Sequence, residues 1–306
     1  LISSIEISHF RGIREGKLEN LTPLTVLVGR NGSGKSTILD AMLIGASLTP
    51  GQAIQQTGHR HEDVIEKDRW LFWRGDRQIS EAKILVKTDE QADRTSVLTL
   101  VPASVQNRPH KSSYVVECDM DWHGAAVENE KQKPQTRRQQ GMGMFGGGML
   151  DGGSDKQQNK ARVQFGQDSK KDQVSGTAPP LEGAPEIRLV EIHSDGHNVP
   201  LHELYSESAR TGQREITKAL ITDLVPQIRD IEILTEDRQP VLYLVLEDRA
   251  VPVALSGDGV HALVRIALEL ASRPNGVVLL EEPEIHQHPG AMRQTVRAIL
   301  AAVRRN

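Results

Sequence analysis

The chain has 306 residues, with 37 Lys and Arg against 41 Asp and Glu, a formal net charge of −4 and a pI near 6.3. That balance excludes a global electrostatic footprint for nucleic acid, so any such contact must come from a local basic stripe. A single cysteine, Cys118, excludes a disulfide framework and fits a reducing compartment, and no apolar run approaches the roughly 20 residues of a membrane-spanning helix.

In chain order, the first decisive stretch is Gly29-Arg30-Asn31-Gly32-Ser33-Gly34-Lys35-Ser36-Thr37, which satisfies G-x-x-x-x-G-K-[ST]. The apolar run Thr25–Val28 before it reads as a buried strand, and Ile38, Leu39, Met42 and Leu43 after it recur at helical spacing. Strand, glycine turn and helix aim backbone N–H groups and a helix N-terminus at a phosphate. Arg30, Asn31, Gly32, Ser33 and Gly34 then form the cradle, Lys35 reaches the β- and γ-oxygens, and the Ser36 hydroxyl ligates Mg²⁺ beside Thr37. The pattern predicts a chain that binds a nucleoside triphosphate.

Ile84–Val86, Ser96–Val101 and Tyr114–Glu117 are apolar runs separated by polar turns, and predict an antiparallel meander over 79–122. Residues 128–185 are rich in Gln, Gly and Lys and are expected to be a disordered insertion. From Ile187 a strand resumes, then a helix around 202–224 and strands at 228–235 and 241–247, with Gln239-Pro240 at the turn between the last two. We therefore expect an N-terminal lobe at 1–127, the insertion at 128–185 and a C-terminal lobe at 186–306.

Ser256-Gly257-Asp258-Gly259 opens a second helical run with apolar residues at Val260, Leu263, Val264, Ala267 and Leu268, a second anion-facing helix start. Two phosphate-facing surfaces in one chain are used together in a two-fold dimer, where Ser256 of one copy closes over the γ-phosphate held by Lys35 of the other. Val277–Leu280 is another apolar run, ending in Glu281-Glu282-Pro283-Glu284. Pro283 stops the strand and leaves carboxylates at its C-terminal end, where Mg²⁺ and the attacking water are handled.

The order phosphate loop, Leu255-Ser256-Gly257-Asp258-Gly259, then Leu279-Leu280-Glu281-Glu282-Pro283-Glu284 resembles the ATP-binding-cassette (ABC) class of ATPases. Within that class it is similar to the DNA-repair and defence branch of SMC, RecF and, most closely, the OLD (overcoming lysogenisation defect) ATPases. Ile5–Ile13 looks like that branch's opening strand and Phe-Arg-Gly-Ile turn, and Leu21–Gly32 and Val253–Val260 continue the likeness. The resemblance covers about a third of the chain, residues 1–50 and 225–290. It implies an α/β P-loop NTPase of the ABC type, with a mixed central sheet and an antiparallel β-subdomain. It also implies Glu282 as the base that deprotonates water, Ser36 and Glu281 as organisers of Mg²⁺, and Ser256, Gly257, Asp258 and Gly259 as contacts to the partner subunit's ATP.

Departures from the family pattern carry consequences. The family usually has aspartate where Glu281 stands, and glutamate is one methylene longer. The glutamine expected after the first helix is Gln52, Gln55 or Gln56, and the switch histidine expected after the carboxylates is absent. His286 and His288 align with a loop that crosses the dimer interface, and no Cys or third ligand accompanies them for a metal. No sustained heptads support coiled-coil arms.

Other polar groups read as ordinary surface. Asp119-x-Asp121 has the spacing of a metal-binding nuclease pair but fits solvated strand carboxylates, and His193 and His197 flank a hairpin turn. Arg137-Arg138 and Lys170-Lys171 belong to a solvated linker. The chain begins at Leu1 without a secretory leader and ends just after a helical run, from which we expect a portion of a longer cytoplasmic protein. The expected function is an ATP- and Mg²⁺-dependent ATPase that forms homodimers and drives an effector protein or C-terminal effector domain, with DNA as a possible partner and no membrane partner. A nucleotide-gated interaction module with negligible hydrolysis is the alternative from another class, and a transporter cassette the third.

Overall fold

A computed structural model describes residues 1–60, 66–75, 80–89, 93–102, 114–123, 160–165, 172–177, 185–192, 199–273, 275–285 and 287–305. They divide into two compact units, Leu1–Asn20 with Thr49–Leu181 and Leu21–Leu48 with Glu182–Asn306. The expected lobes at 1–127 and 186–306 therefore meet a different division, because the phosphate-loop segment joins the C-terminal half.

The first unit is built on a seven-stranded antiparallel sheet. Its strands are β1 (Ile2–Phe10), β2 (Ile13–Leu18), β3 (Glu81–Thr88), β4 (Asp93–Pro102), β5 (Tyr114–His123), β6 (Lys160–Gln164) and β7 (Gln173–Thr177), in the spatial order β2-β1-β3-β4-β5-β6-β7. Period-two patterning explains the pairing: Ala82, Ile84 and Val86 of β3 and Leu98 and Leu100 of β4 turn to the buried face while their neighbours stay wetter. The expected meander is thus β3 to β5, fully antiparallel.

The last two strands lie inside 128–185, which was expected to lack regular structure. Ala161, Val163 and Phe165 bury an alternating face there that average composition hides. Residues 128–159 of that stretch, with Arg137 and Arg138, lie outside the described residues, as do Lys170 and Lys171. The helix α2 (Pro50–His59) packs on β6 and β7, and its glycines make the approach possible: a Cβ on Gly58 would meet the Phe165 ring.

In the second unit, α1 (Lys35–Ala46) packs against a parallel strand pair, β8 (Ile187–Glu191) and β12 (Val277–Glu281). This contact is what assigns the phosphate-loop segment to the C-terminal half. Between those strands in sequence come α3 (Leu201–Arg210), α4 (Arg214–Leu224), the antiparallel sheet β11-β10-β9, and α5 (Asp258–Ser272). The sheet comprises β9 (Asp230–Glu236), β10 (Gln239–Val245) and β11 (Ala250–Pro252), and α6 (Pro289–Arg305) follows β12. Helix α5 is buried on most sides: Leu263, Val264, Ala267 and Leu268 meet Leu204, Ile221 and Leu244, whereas Ala262 and Ile266 meet Val190 and Ile192.

Three local expectations are corrected. The single helix at 202–224 is two helices, because Gly212 takes φ 73 and ends the first. The β9–β10 turn is Asp237-Arg238, both left-handed at φ 44 and 68, the geometry of a two-residue hairpin, and Gln239-Pro240 begins β10 instead. Thr25–Val28 is not a buried strand: Val26 and Val28 are 72% and 90% exposed, and no ladder includes them. The Thr25 hydroxyl donates to the Thr22 carbonyl and accepts from the Thr22 N–H, a local side-chain turn around Pro23 at the start of this run.

Candidate nucleotide-binding site

The glycine turn is shaped by residues that only glycine replaces cheaply. Gly32 and Gly34 sit at φ 76 and 90, and a Cβ on Gly29 would come within 2.7 Å of the Ser33 hydroxyl. Gly34 is the N-cap of α1 and no side chain caps the helix, which leaves the first-turn N–H groups for another acceptor. Lys35 folds back across the loop, its Nζ donating to the carbonyls of Gly29 at 2.9 Å and Arg30 at 3.0 Å. Arg30, Asn31, Gly32 and Ser33 are exposed, and Ser36 and Thr37 are half-buried in the first turn. A ring of backbone around an ammonium at an uncapped helix start fits the phosphates of a nucleotide.

The carboxylates lie in the same unit. Strands β8 and β12 run parallel with Glu191 opposite Glu281, and both strands end there. Ligands in open α/β units bind outside such carboxyl ends. Glu281 is buried, and Glu282 is exposed with φ 46. A left-handed glutamate immediately before Pro283 stands where a non-glycine residue is strained, at a cost of about 1–3 kcal/mol, and such outliers gather at functional sites. Sequence reasoning missed Glu191, although Ile187–Glu191 repeats the pattern of Val277–Glu281, an apolar strand closed by glutamate.

The Ser256 turn opens α5. The Ser256 hydroxyl donates to the Val253 carbonyl at 2.6 Å, Gly257 takes φ 88 as N-cap of α5, and Asp258 occupies its first turn ahead of Gly259. Leu255 beside it is 75% exposed.

Asp119 pairs with Lys160 at 3.1 Å and Asp121 is exposed, and among the described residues no group of three or more metal-ligating side chains occurs. His288 caps α6, its Nδ1 accepting from the Gly290 N–H at 3.1 Å, whereas His286, His193 and His197 lie outside the described residues. Gln52, Gln55 and Gln56 all sit on α2 in the first unit.

A buried ion network supports α5 from behind. Arg265 and Arg273 flank Glu269, and Arg273 also reaches Glu186 at 2.9 Å. Burial pushes the Glu269 carboxyl above its ordinary range, opposed by Arg188, Arg273 and Arg265. For Glu186 burial acts in the same direction, but hydrogen bonds from Arg273 and Arg188 outweigh it and hold the carboxyl below the usual value.

Over 79 residues the chain is 45% identical to an uncharacterized protein of Methanocaldococcus jannaschii, covering 26% of this chain and 34% of that protein. Over 93 residues it is 27% identical to a Helicobacter pylori protein named ATP/GTP phosphatase, covering 29% of this chain and 25% of that protein. The chain thus spans about a third and about a quarter of the length of these curated relatives. No helix among the described residues is long and apolar enough to cross a membrane. Residues 4–173, more than half of the chain, match the AAA domain family, and that span includes the whole glycine turn. The chain belongs to the AAA domain family and carries a P-loop ATPase domain.

Proposed function

We propose that this chain hydrolyses ATP as an ABC-type ATPase of the OLD branch, pairs with a second copy when ATP is bound, and gates an effector in DNA repair or anti-phage defence. The observation that carries the reading is one unit holding both an uncapped, glycine-shaped helix start with Lys35 and a strand that ends in buried Glu281 followed by strained Glu282. The named activity of the Helicobacter pylori relative supports hydrolysis.

In this mechanism Lys35 exchanges the Gly29 and Arg30 carbonyls for the β- and γ-oxygens, and the N–H groups of residues 32–37 bind the same phosphates. The Ser36 hydroxyl and Glu281 carboxylate would hold Mg²⁺, which would supply charge neutralisation on the phosphate oxygens. Glu282 orients the attacking water and accepts its proton. The partner subunit's Ser256, Gly257, Asp258 and Gly259 close the γ-phosphate from the other side, a role that the exposure of this turn allows.

The test is Glu282→Gln. Turnover should fall by at least about 100-fold while ATP affinity is kept, and the protein should run at twice its apo mass with Mg-ATP. Wild-type turnover in this variant, or an unchanged mass with Mg-ATP, overturns the reading. Glutamate at position 281 favours the second reading, a nucleotide-gated module that binds ATP with negligible turnover. There the wild-type protein itself gains thermal stability with ATP yet releases no phosphate.

A further inference from the structure

The first unit contains a cavity of about 340 Å³ that the phosphate-loop reading does not use. Its walls include Arg11, Lys67, Trp70, Phe72, Trp73 and Arg74, and no carboxylate is among the described residues that line it. Three cations and three aromatic rings around one small cavity are an unusual concentration in a chain with net charge −4 and only 3% aromatic residues.

The pocket is built on pinned backbone. Residues 71–73 pair with the turn after β1: the Arg11 N–H donates to the Leu71 carbonyl, the Trp73 N–H to the His9 carbonyl, and Phe10 bridges Phe72. His9 and Arg11 both stand in the left-handed region, at φ 56 and 47, strain that non-glycine residues carry where the surroundings impose it. Arg11 is further held by a 2.6 Å bond from its Nη2 to the Thr57 carbonyl. Behind the wall, Lys67 lies 2.7 Å from His59 Nδ1, and His59 Nε2 lies 2.5 Å from Asp172, so the Lys67 charge is matched from within. At the mouth, Trp70 is 52% exposed, with the Arg74 guanidinium 4.7 Å from its ring centre and Glu66 4.0 Å from Arg74 on the outer side.

The exposed Trp70 indole, with half-buried Trp73 near it, attracts a flat π-system, and guanidinium groups beside them attract an anion. Ligand cavities run from about 300 to 1,000 Å³, so this one has room for a single base and excludes a stacked duplex. A base joined to a phosphate satisfies both sets of groups at once; a stacked duplex hides its base faces, whereas an unstacked strand presents such a unit at every residue. We propose that this pocket binds single-stranded nucleic acid, seating one splayed base against Trp70 and Trp73 and its phosphate on Arg11 and Arg74. The site lies wholly in the first unit, whereas the phosphate loop belongs to the second.

Fluorescence anisotropy of a labelled ten-nucleotide single strand, measured without ATP or Mg²⁺, tests this on the whole chain. Wild-type protein should bind the strand more tightly than its duplex and show a falling affinity with salt. Trp70→Ala should weaken binding about 10-fold, and Arg74→Ala should also flatten the salt slope by about 0.7. Both substitutions are at the surface, and an unchanged melting temperature confirms that the fold is kept. Lys35→Ala, which tests the phosphate loop separately, should bind the strand like wild type. The proposal is overturned if wild type binds no single strand or prefers duplex, or if folded Trp70→Ala and Arg74→Ala retain wild-type affinity. It is equally overturned if Lys35→Ala loses the strand or a free mononucleotide displaces it at equal concentration, since the ligand is then a nucleotide.

Discussion

Glu191 and Glu281 stand in register at the ends of adjacent parallel strands, so two carboxylates, 3% and 7% exposed, share one edge of the β8–β12 pair. Neighbouring strands lie about 4.8 Å apart, and residues in parallel register leave the sheet on the same face, side by side. Only one of the two belongs to a motif, yet the pairing makes them a unit.

The first prediction is therefore energetic coupling. Glu191→Gln, Glu281→Gln and the double variant should give Mg-ATP-dependent stabilities that miss additivity by more than about 0.5 kcal/mol. Denaturant melts with and without Mg-ATP measure the cycle. Additive effects would mean that Glu191 is only a strand terminus and takes no part in the site.

Lys35 gives the second prediction. Its ammonium is held by two loop carbonyls at an exposed position, so its loss removes the cation of the phosphate loop without opening a core. Lys35→Ala should erase the ATP-dependent rise in melting temperature, which at saturating ligand is on the order of 5 °C for wild type. A thermal shift with Mg-ATP equal to that of wild type removes Lys35 from the site.

How far the sequence carries is clear from these residues. Gly32, Gly34 and Gly257 were legible because a left-handed turn at a helix start demands glycine at fixed offsets, and all three have positive φ. Thr25–Val28 misled because an apolar β-branched run says that a strand is favourable, not that a neighbour is present to pair with it. Strands β6 and β7 were hidden by window composition: five-residue strands within a Gln- and Gly-rich stretch barely move an average. Glu191 and the Trp70–Arg74 wall of the pocket carry no motif, although Arg11 opposite that wall lies in the Phe-Arg-Gly-Ile turn. Only the register of β8 with β12, and the pairing of residues 71–73 with the turn after β1, brings their chemistry together.

The third prediction concerns pH. Lys218 on α4 donates to Asp230 on β9 at 2.8 Å, and this bond, against the opposing effect of burial, holds the Asp230 carboxyl below its ordinary value and the Lys218 ammonium above its own. A depressed carboxyl stabilises the fold above its unfolded pKa, near 3.9, and loses that contribution as pH falls through the folded value. A raised ammonium contributes fully below about 10.4 and loses its part as pH rises through its folded value. Wild type should therefore melt above Asp230→Asn at pH 6 by a margin that shrinks below pH ~4. A margin that stays constant down to pH 2 would show that the pair does not link α4 to β9 electrostatically.

Cys118 supplies the last prediction. It sits on β5 opposite Leu98, fully buried in the face of the first unit's sheet. Burial pushes its thiol up to about 12, against the pull of the Arg94 guanidinium, itself brought down to about 10 by the same dry surroundings. An unfolded thiol ionises near 8.5, so at pH 8 roughly a quarter is thiolate when unfolded and about one part in ten thousand when folded. Iodoacetamide should accordingly leave the native protein unmodified at pH 8 and label it promptly in 6 M urea. The same shift carries a stability cost in alkali. The folded state keeps a proton that the unfolded state releases above pH ~8.5, so stability falls as pH rises, by about 2 kcal/mol at pH 10. Replacing the thiol with a group that does not titrate, Cys118→Ala, should flatten that alkaline loss even though the cavity lowers stability at pH 7. Alkylation of the native protein at the unfolded rate, or an alkaline loss unchanged in Cys118→Ala, would mean that the β4–β5 face opens to solvent, contrary to the packing of Leu98, Val116 and Met120 around it.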